Sequence, residues 1–151
     1  MKKDSSTLIE NRGATFHYDL VEEYVAGLIL TGAETKSLRA GHAVLHGAWC
    51  KIENGKIILQ KFQINKYPQD NTGTHDPMRP KQILLKQDEL KQIAHKMDEQ
   101  KMQLIPMKVF KMGRWVKVKL GLGKARKTQD KRQHIKEREL KQRLRKITNH
   151  Y

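Results

Sequence analysis

The chain has 151 residues, enough for one domain with an appendage, and a formal net charge of +15. No apolar run approaches the roughly 20 residues a membrane-spanning helix needs, and residues 1–6 lack the apolar core of a signal peptide. Cys50 is the only cysteine, which excludes an internal disulfide framework or a thiolate zinc cluster and suits a reducing cytosol.

Residues 1–10 read as a polar, disordered N-terminus. Residues 24–30 are nearly all apolar and predict a strand buried on both faces, although Ala26 and Gly27 weaken that pattern. Thr31-Gly32 breaks it, and residues 33–40 read as a short helix closed by Gly41 at C′. Residues 49–64 form a hairpin around Asn54-Gly55, the favoured type I′ turn pair, with Cys50 as a half-buried strand thiol. Residues 67–80 carry Pro68, Gly73, Pro77 and Pro80 and read as a loop. Leu90, Ile93, Ala94 and Met97 fall at i, i+3, i+4 and i+7, predicting an amphipathic helix over 87–100. Two strands follow, 104–111 and 114–120, joined at Met112-Gly113. The expected fold is mainly β with flanking helices: a small OB-like antiparallel β-barrel over 11–122, followed by a basic tail over 123–151.

Charge is unevenly distributed. From Lys119 onward, 12 basic and 3 acidic residues give +9, leaving +6 for the longer body before them. A cationic tail on a compact body points to a polyanion, and phosphate backbones bind such tails by releasing counterions. Gly121-Leu122-Gly123-Lys124 is too short for a phosphate-binding Walker loop; its expected role is to release the chain from the last strand. Asp130 and Gln133 resemble a capping box, but Ile135, Leu140, Leu144 and Ile147 form only a thin apolar stripe. The tail is therefore expected to be disordered when free and helical when bound, with residues 130–147 reaching about 27 Å at ~1.5 Å per residue.

No catalytic constellation emerges, and a non-enzymatic protein is expected. His42 and His46 have an H-x-x-x-H spacing, but residues 43–45 between them read as extended and the zincin Glu is missing. Asp76-Pro77 suits a turn. No metal or cofactor is expected, and a nuclease would lack the acid cluster that holds its metal ions.

Three ordered strings carry a resemblance. They are Asn11-Arg12-Gly13-Ala14 with Tyr18 and residues 32–41; His75-Asp76-Pro77-Met78-Arg79 with Ile83-Leu84-Leu85; and residues 116–122 followed by basic residues and Asp130-Lys131-Arg132. Together they resemble the SsrA-binding protein (small protein B) family, the bacterial partners of transfer-messenger RNA (tmRNA). The resemblance implies an oligonucleotide-binding barrel that cradles the tRNA-like domain of that RNA. It implies delivery to the vacant A site of a stalled ribosome, in the cytoplasm, with the protein standing in for the missing codon–anticodon pair and its tail folding as a helix in the empty mRNA channel. The implied RNA-facing residues are Asn11, Tyr18, Lys36, Arg39, Arg79, Lys81 and Leu84. Those implied to meet the small-subunit decoding centre and mRNA channel are Lys124, Arg126, Lys127, Asp130, Lys131, Arg132, Lys136 and Arg138. Nothing in the sequence requires self-association, so one copy per RNA is expected.

Without the resemblance, Tyr18 and Leu84 also suit a core, Lys36 and Arg39 a solvated helix face, and Asn11 a turn cap. The chain departs from the family pattern at Val25, where a Glu is usual; at Arg79-Pro80-Lys81-Gln82, one charge short; at Ala125, where the flexible Gly has moved; at Gln129, which replaces a ring; and at Leu140, which replaces an aromatic. A structural ribosomal protein, with its barrel on rRNA and its tail threaded into the particle, is the alternative reading.

Overall fold

The computed structural model describes residues 5–68, 75–126 and 128–148; for residue 5, residues 128–134 and 146–148 it describes the backbone alone. The chain runs β1 (Ser5–Glu10), α1 (Ala14–His17), β2 (Tyr18–Leu28), α2 (Gly32–Arg39), β3 (Ala43–Val44), β4 (Trp49–Glu53), β5 (Lys56–Gln60), β6 (Gln63–Ile64), β7 (Lys81–Leu84), α3 (Gln87–Glu99), β8 (Gln103–Met112), β9 (Trp115–Ala125) and α4 (Thr128–Thr148).

The predominantly antiparallel architecture agrees with the sequence pattern. The main sheet has the order β1-β8-β4-β5-β7-β2-β9, and β8 also pairs with β9, so six strands close into a ring with β1 on its outside edge. Ring closure pairs both edges of the six-stranded sheet and gathers alternate side chains inward. The core holds Leu28, Leu38, Leu59, Phe62, Ile83, Leu104, Val118 and Leu120. From α3, Ile93 enters this core, with Leu90 and Met97 packed beside it.

Local signals place several elements well. Asn54 (φ 52°) and Gly55 (φ 72°) both take positive φ between β4 and β5, as a type I′ turn requires. Thr31 caps α2 reciprocally: the Glu34 amide donates to Thr31 Oγ1 at 3.1 Å, and the Thr31 amide donates to Glu34 Oε1 at 2.9 Å. Gly41 follows α2 at φ 83°, in the left-handed region that favours glycine.

Four expectations are corrected. Residues 5–10 are a strand: β1 pairs with β8 from Ser5↔Met112 to Glu10↔Lys108, and Leu8 and Ile9 pack on the core. The partner lies about a hundred residues away, so nothing local reveals it. Second, β2 starts at Tyr18 and is buried on one face only; Val21, Val25 and Ile29 are exposed. Third, Cys50 is fully buried, and burial pushes its thiol pKa up. Fourth, Gly123 does not release the chain. Strand β9 continues through Lys124 to Ala125, which pairs with Tyr18. The two glycines serve a close approach: β2 bulges between Leu20 and Glu22, and a Cβ on Gly123 would lie 2.0 Å from the Asp19 carbonyl oxygen. At Gly121 it would lie 2.7 Å from Leu20 Cδ1.

Candidate nucleic-acid interface

Helix α2 presents Lys36 and Arg39 to solvent, on one helix face. Lys36 Nζ lies 5.8 Å from the centroid of the Tyr67 ring, a cation–π contact that orients the ammonium without consuming its charge. On β7, Leu84 is 53% exposed and packs opposite Gly27 of β2. It borders a hollow of about 530 Å³ shared with Thr35 of α2, Ile29, Trp115 and Lys117. The structure therefore brings Leu84 beside Thr35 of α2, in a hollow with apolar walls and the cations Arg114 and Lys117.

Trp115 also lines this hollow and was not among the residues the sequence singled out. It is 67% exposed at the start of β9. The alternation Trp115-Val116-Lys117-Val118-Lys119-Leu120 was the available signal: period two puts Trp115, Lys117 and Lys119 on the face opposite Val118 and Leu120. Lys119 is paired with Glu23 at 2.9 Å.

Two of the residues expected to face RNA also make contacts within the protein. Lys81 is 0% exposed; its Nζ donates to the Phe62 and Arg79 carbonyl oxygens, each at 2.7 Å, and lies 3.9 Å from Glu34 Oε2. Burial lowers its pKa to about 8, against the opposing attraction of Glu34. Arg79 is half-buried and grips Glu34 through two nitrogens. Burial alone would raise the Glu34 pKa, but hydrogen bonds from Arg79 and the Thr31 amide, with the charges of Arg79 and Lys81, hold it below the usual carboxylate range. Arg79 and Lys81 thus brace α2 against β7, because a buried carboxylate persists only when paired and hydrogen-bonded.

Asn11 and Tyr18 lie elsewhere. The Asn11 side chain is buried, and its Nδ2 donates to the Pro106 carbonyl oxygen at 3.1 Å, next to the β8 bulge between Pro106 and Lys108. Its backbone carbonyl accepts from the Ala14 amide at 3.1 Å, so Asn11 positions α1. Both Asn11 and Tyr18 line a second, larger hollow of about 700 Å³ between α1, β4 and β8.

The chain matches the SmpB protein family model across residues 8–150, a span that takes in both the ring and α4. It belongs to the SmpB family. Among its relatives, the SsrA-binding protein of Gloeobacter violaceus is 39% identical over 140 residues, covering 93% of this chain and 92% of that protein. The SsrA-binding protein of Desulforudis audaxviator is 40% identical over 139 residues, covering 91% and 90%. A chain from the solved structure described as "tmRNA-SmpB: a journey to the center of the bacterial ribosome" superposes with a TM-score of 0.65 at 35% identity, covering 80% of this chain and 85% of that one.

As a member of the SmpB family, the chain carries its basic tail as a direct continuation of the ring. Lys124 is exposed at the end of β9, and Arg126 is tied to α1 by its amide to the His17 carbonyl (2.8 Å) and its Nε to the Thr15 carbonyl (3.1 Å). The helix starts at Thr128, two residues before the expected Asp130. Lys136 and Arg138 are exposed on it, as are Ile135, Leu140 and Leu144. Lys127 lies outside the described residues, as do the side chains of Gln129, Asp130, Lys131 and Arg132. No cluster of three or more His, Cys, Asp or Glu that could hold a metal is found among the described residues, and no described helix is long and apolar enough to cross a membrane.

Proposed function

We propose that this protein binds the tRNA-like domain of transfer-messenger RNA and escorts it to stalled ribosomes for trans-translation. The observation that carries this reading is the family match, which extends unbroken from the ring into the tail. The name SsrA-binding protein among its relatives and the tmRNA–SmpB structural neighbour support the same partner.

The ring supplies RNA selection. Lys36 and Arg39 meet phosphates, Leu84 gives apolar contact to an unstacked base, and Trp115 offers a ring on which a base stacks. Arg79, Lys81 and Glu34 act one step back, holding α2 and β7 in register. The tail supplies ribosome recognition. Lys124, Arg126, Lys127, Lys131, Arg132, Lys136 and Arg138 neutralise rRNA phosphates near the decoding centre and along the mRNA channel, and Asp130 caps the helix. The described side chains of α4, residues 135–145, are all exposed, so the ring does not bury its thin apolar stripe there. Folding of the tail is accordingly coupled to entry into a polyanionic channel.

The test is the RNA that copurifies with the affinity-tagged protein. A single tRNA-like species is expected. Recovery of bulk rRNA in intact subunits alone would favour a structural ribosomal protein.

A further inference from the structure

Helix α1 is a single turn, Ala14–His17, and both of its ends are fastened. At its start the buried Asn11 takes hold of β8: its amide donates to the Met107 carbonyl at 2.7 Å, and its Nδ2 donates to the Pro106 carbonyl at 3.1 Å. The Asn11 carbonyl accepts from the Ala14 amide at 3.1 Å, and Ala14 is itself buried. A Cβ on Gly13 would come 3.3 Å from both His17 Cδ2 and His46 Cε1, so two rings pack closely against the same turn. A single turn of helix is unstable alone, and these contacts hold it in place.

The far end of α1 meets Arg126. A helix leaves its last carbonyls without intrahelical partners. The Arg126 amide donates to the His17 carbonyl at 2.8 Å, and its Nε donates to the Thr15 carbonyl at 3.1 Å. One anchor is main chain and the other side chain, so together they restrict both the position of the residue and its rotation. The guanidinium keeps further donors on Nη1 and Nη2, so this clasp does not remove its charge from use.

Only Lys127 separates the clasp from α4, which starts at Thr128 and runs for 21 residues. At ~1.5 Å per residue α4 is about 32 Å long, so a swing of ~30° at its root carries its far end through about 16 Å. The direction of the tail is therefore decided within a few backbone dihedrals of Arg126.

We infer that Arg126 is a positioning residue: through Nε it fastens the root of the tail to α1 and sets the direction in which α4 leaves the ring. The inference rests on the reading of the tail as the ribosome-facing part of the protein. Asn11 acts one step further back, by fixing α1 on β8. The tail can then fold late, on entering its channel, because its root is already aimed. Preorganisation of this kind lowers the entropic cost of binding. The task needs a donor at Nε, and the positive charge is incidental to it.

Two substitutions separate the donor from the charge. Arg126→Gln keeps an N–H donor at the position of Nε and loses the charge; Arg126→Lys keeps the charge and puts a methylene there. In the full-length protein, nitroxide labels are placed at Thr128→Cys and, in turn, at the exposed positions Lys56→Cys and Lys91→Cys, while burial shields Cys50 from the reagent. Pulsed electron–electron double resonance then reads the distances. Narrow distributions are expected with Arg126 in place and with Arg126→Gln, and broad ones with Arg126→Lys. A broad distribution with Arg126 in place, or a narrow one with Arg126→Lys, would overturn the inference. Arg126→Lys should also lower peptide tagging on stalled ribosomes several-fold more than Arg126→Gln does, at unchanged affinity for isolated tmRNA. Tagging that follows the charge, with Arg126→Gln the more impaired, would make Arg126 a phosphate contact alone and overturn the inference. Absence of tagging even with Arg126 in place would remove the ribosome-rescue reading, and the distances would still decide the clasp.

Discussion

Arg79 holds Glu34 by two nitrogens, Nη2 to Oε1 at 2.5 Å and Nε to Oε2 at 3.2 Å, joining the loop before β7 to the first turn of α2. Glu34 is 2% exposed, and the same carboxylate caps α2 through Thr31 and faces the buried Lys81 ammonium. Glu34→Gln leaves two cations without their counter-charge and should cost about 3–5 kcal/mol, the usual penalty for breaking a buried pair. Urea denaturation measures it, and a loss below about 1 kcal/mol would show that the cluster does not brace α2.

The Lys81 pKa is lowered to about 8 from 10.5, so between these values the unfolded chain carries a proton that the folded chain has released. Folding stability from this group therefore rises with pH across that window and is flat on either side of it. Comparing wild type with Lys81→Met by thermal melts at pH 7.5, 9 and 10.5 isolates the effect. The difference should shift in favour of wild type as pH rises; a shift in the opposite direction would contradict the burial of a charged Lys81.

Gly123→Ala forces a Cβ to within 2.0 Å of the Asp19 carbonyl oxygen, so β2 and β9 must separate at the root of the tail. Overpacking typically costs about 1–3 kcal/mol, and a backbone clash belongs at or above the upper end. A thermal melt checks this, with Gly32→Ala as the control, because nothing lies within 4 Å of a Cβ there.

Because β9 reaches Ala125 and Arg126 is anchored on α1, the separable tail begins after Arg126. Truncation there should leave affinity for isolated tmRNA nearly unchanged and abolish peptide tagging on stalled ribosomes. Loss of RNA affinity in a filter-binding assay would overturn the division of labour between ring and tail. Truncation before Gly123, by contrast, should damage the ring itself.

Leu84→Ala removes exposed apolar surface, so folding stability should change by less than about 0.5 kcal/mol while RNA affinity falls several-fold. Lys36→Ala and Arg39→Ala should each flatten the salt dependence of binding by roughly one unit of slope per lost phosphate contact. An unchanged slope would remove that residue from the interface.

Much of the chain was legible one segment at a time. The Asn54-Gly55 turn, the α2 boundary at Gly41, the apolar face of α3 and the paired strands around Gly113 are local signals, and each element forms where its own residues dictate. The charge imbalance that marks the tail is likewise a property of composition. The ordered motifs were sufficient to reach the SmpB family, whose model matches residues 8–150. What the tertiary structure decided concerns groups brought together from distant segments. The pairing of β1 with β8 turns a polar N-terminal stretch into a strand. The bulge in β2 makes Gly121 and Gly123 requirements of close packing rather than of flexibility. Glu34 draws the half-exposed Arg79 and the buried Lys81 into one brace. Ring closure separates Asn11 and Tyr18 from Leu84, placing them around two different hollows. A lysine's charge is written in the sequence, but whether it meets solvent or a buried carboxylate depends on which remote strand folds over it.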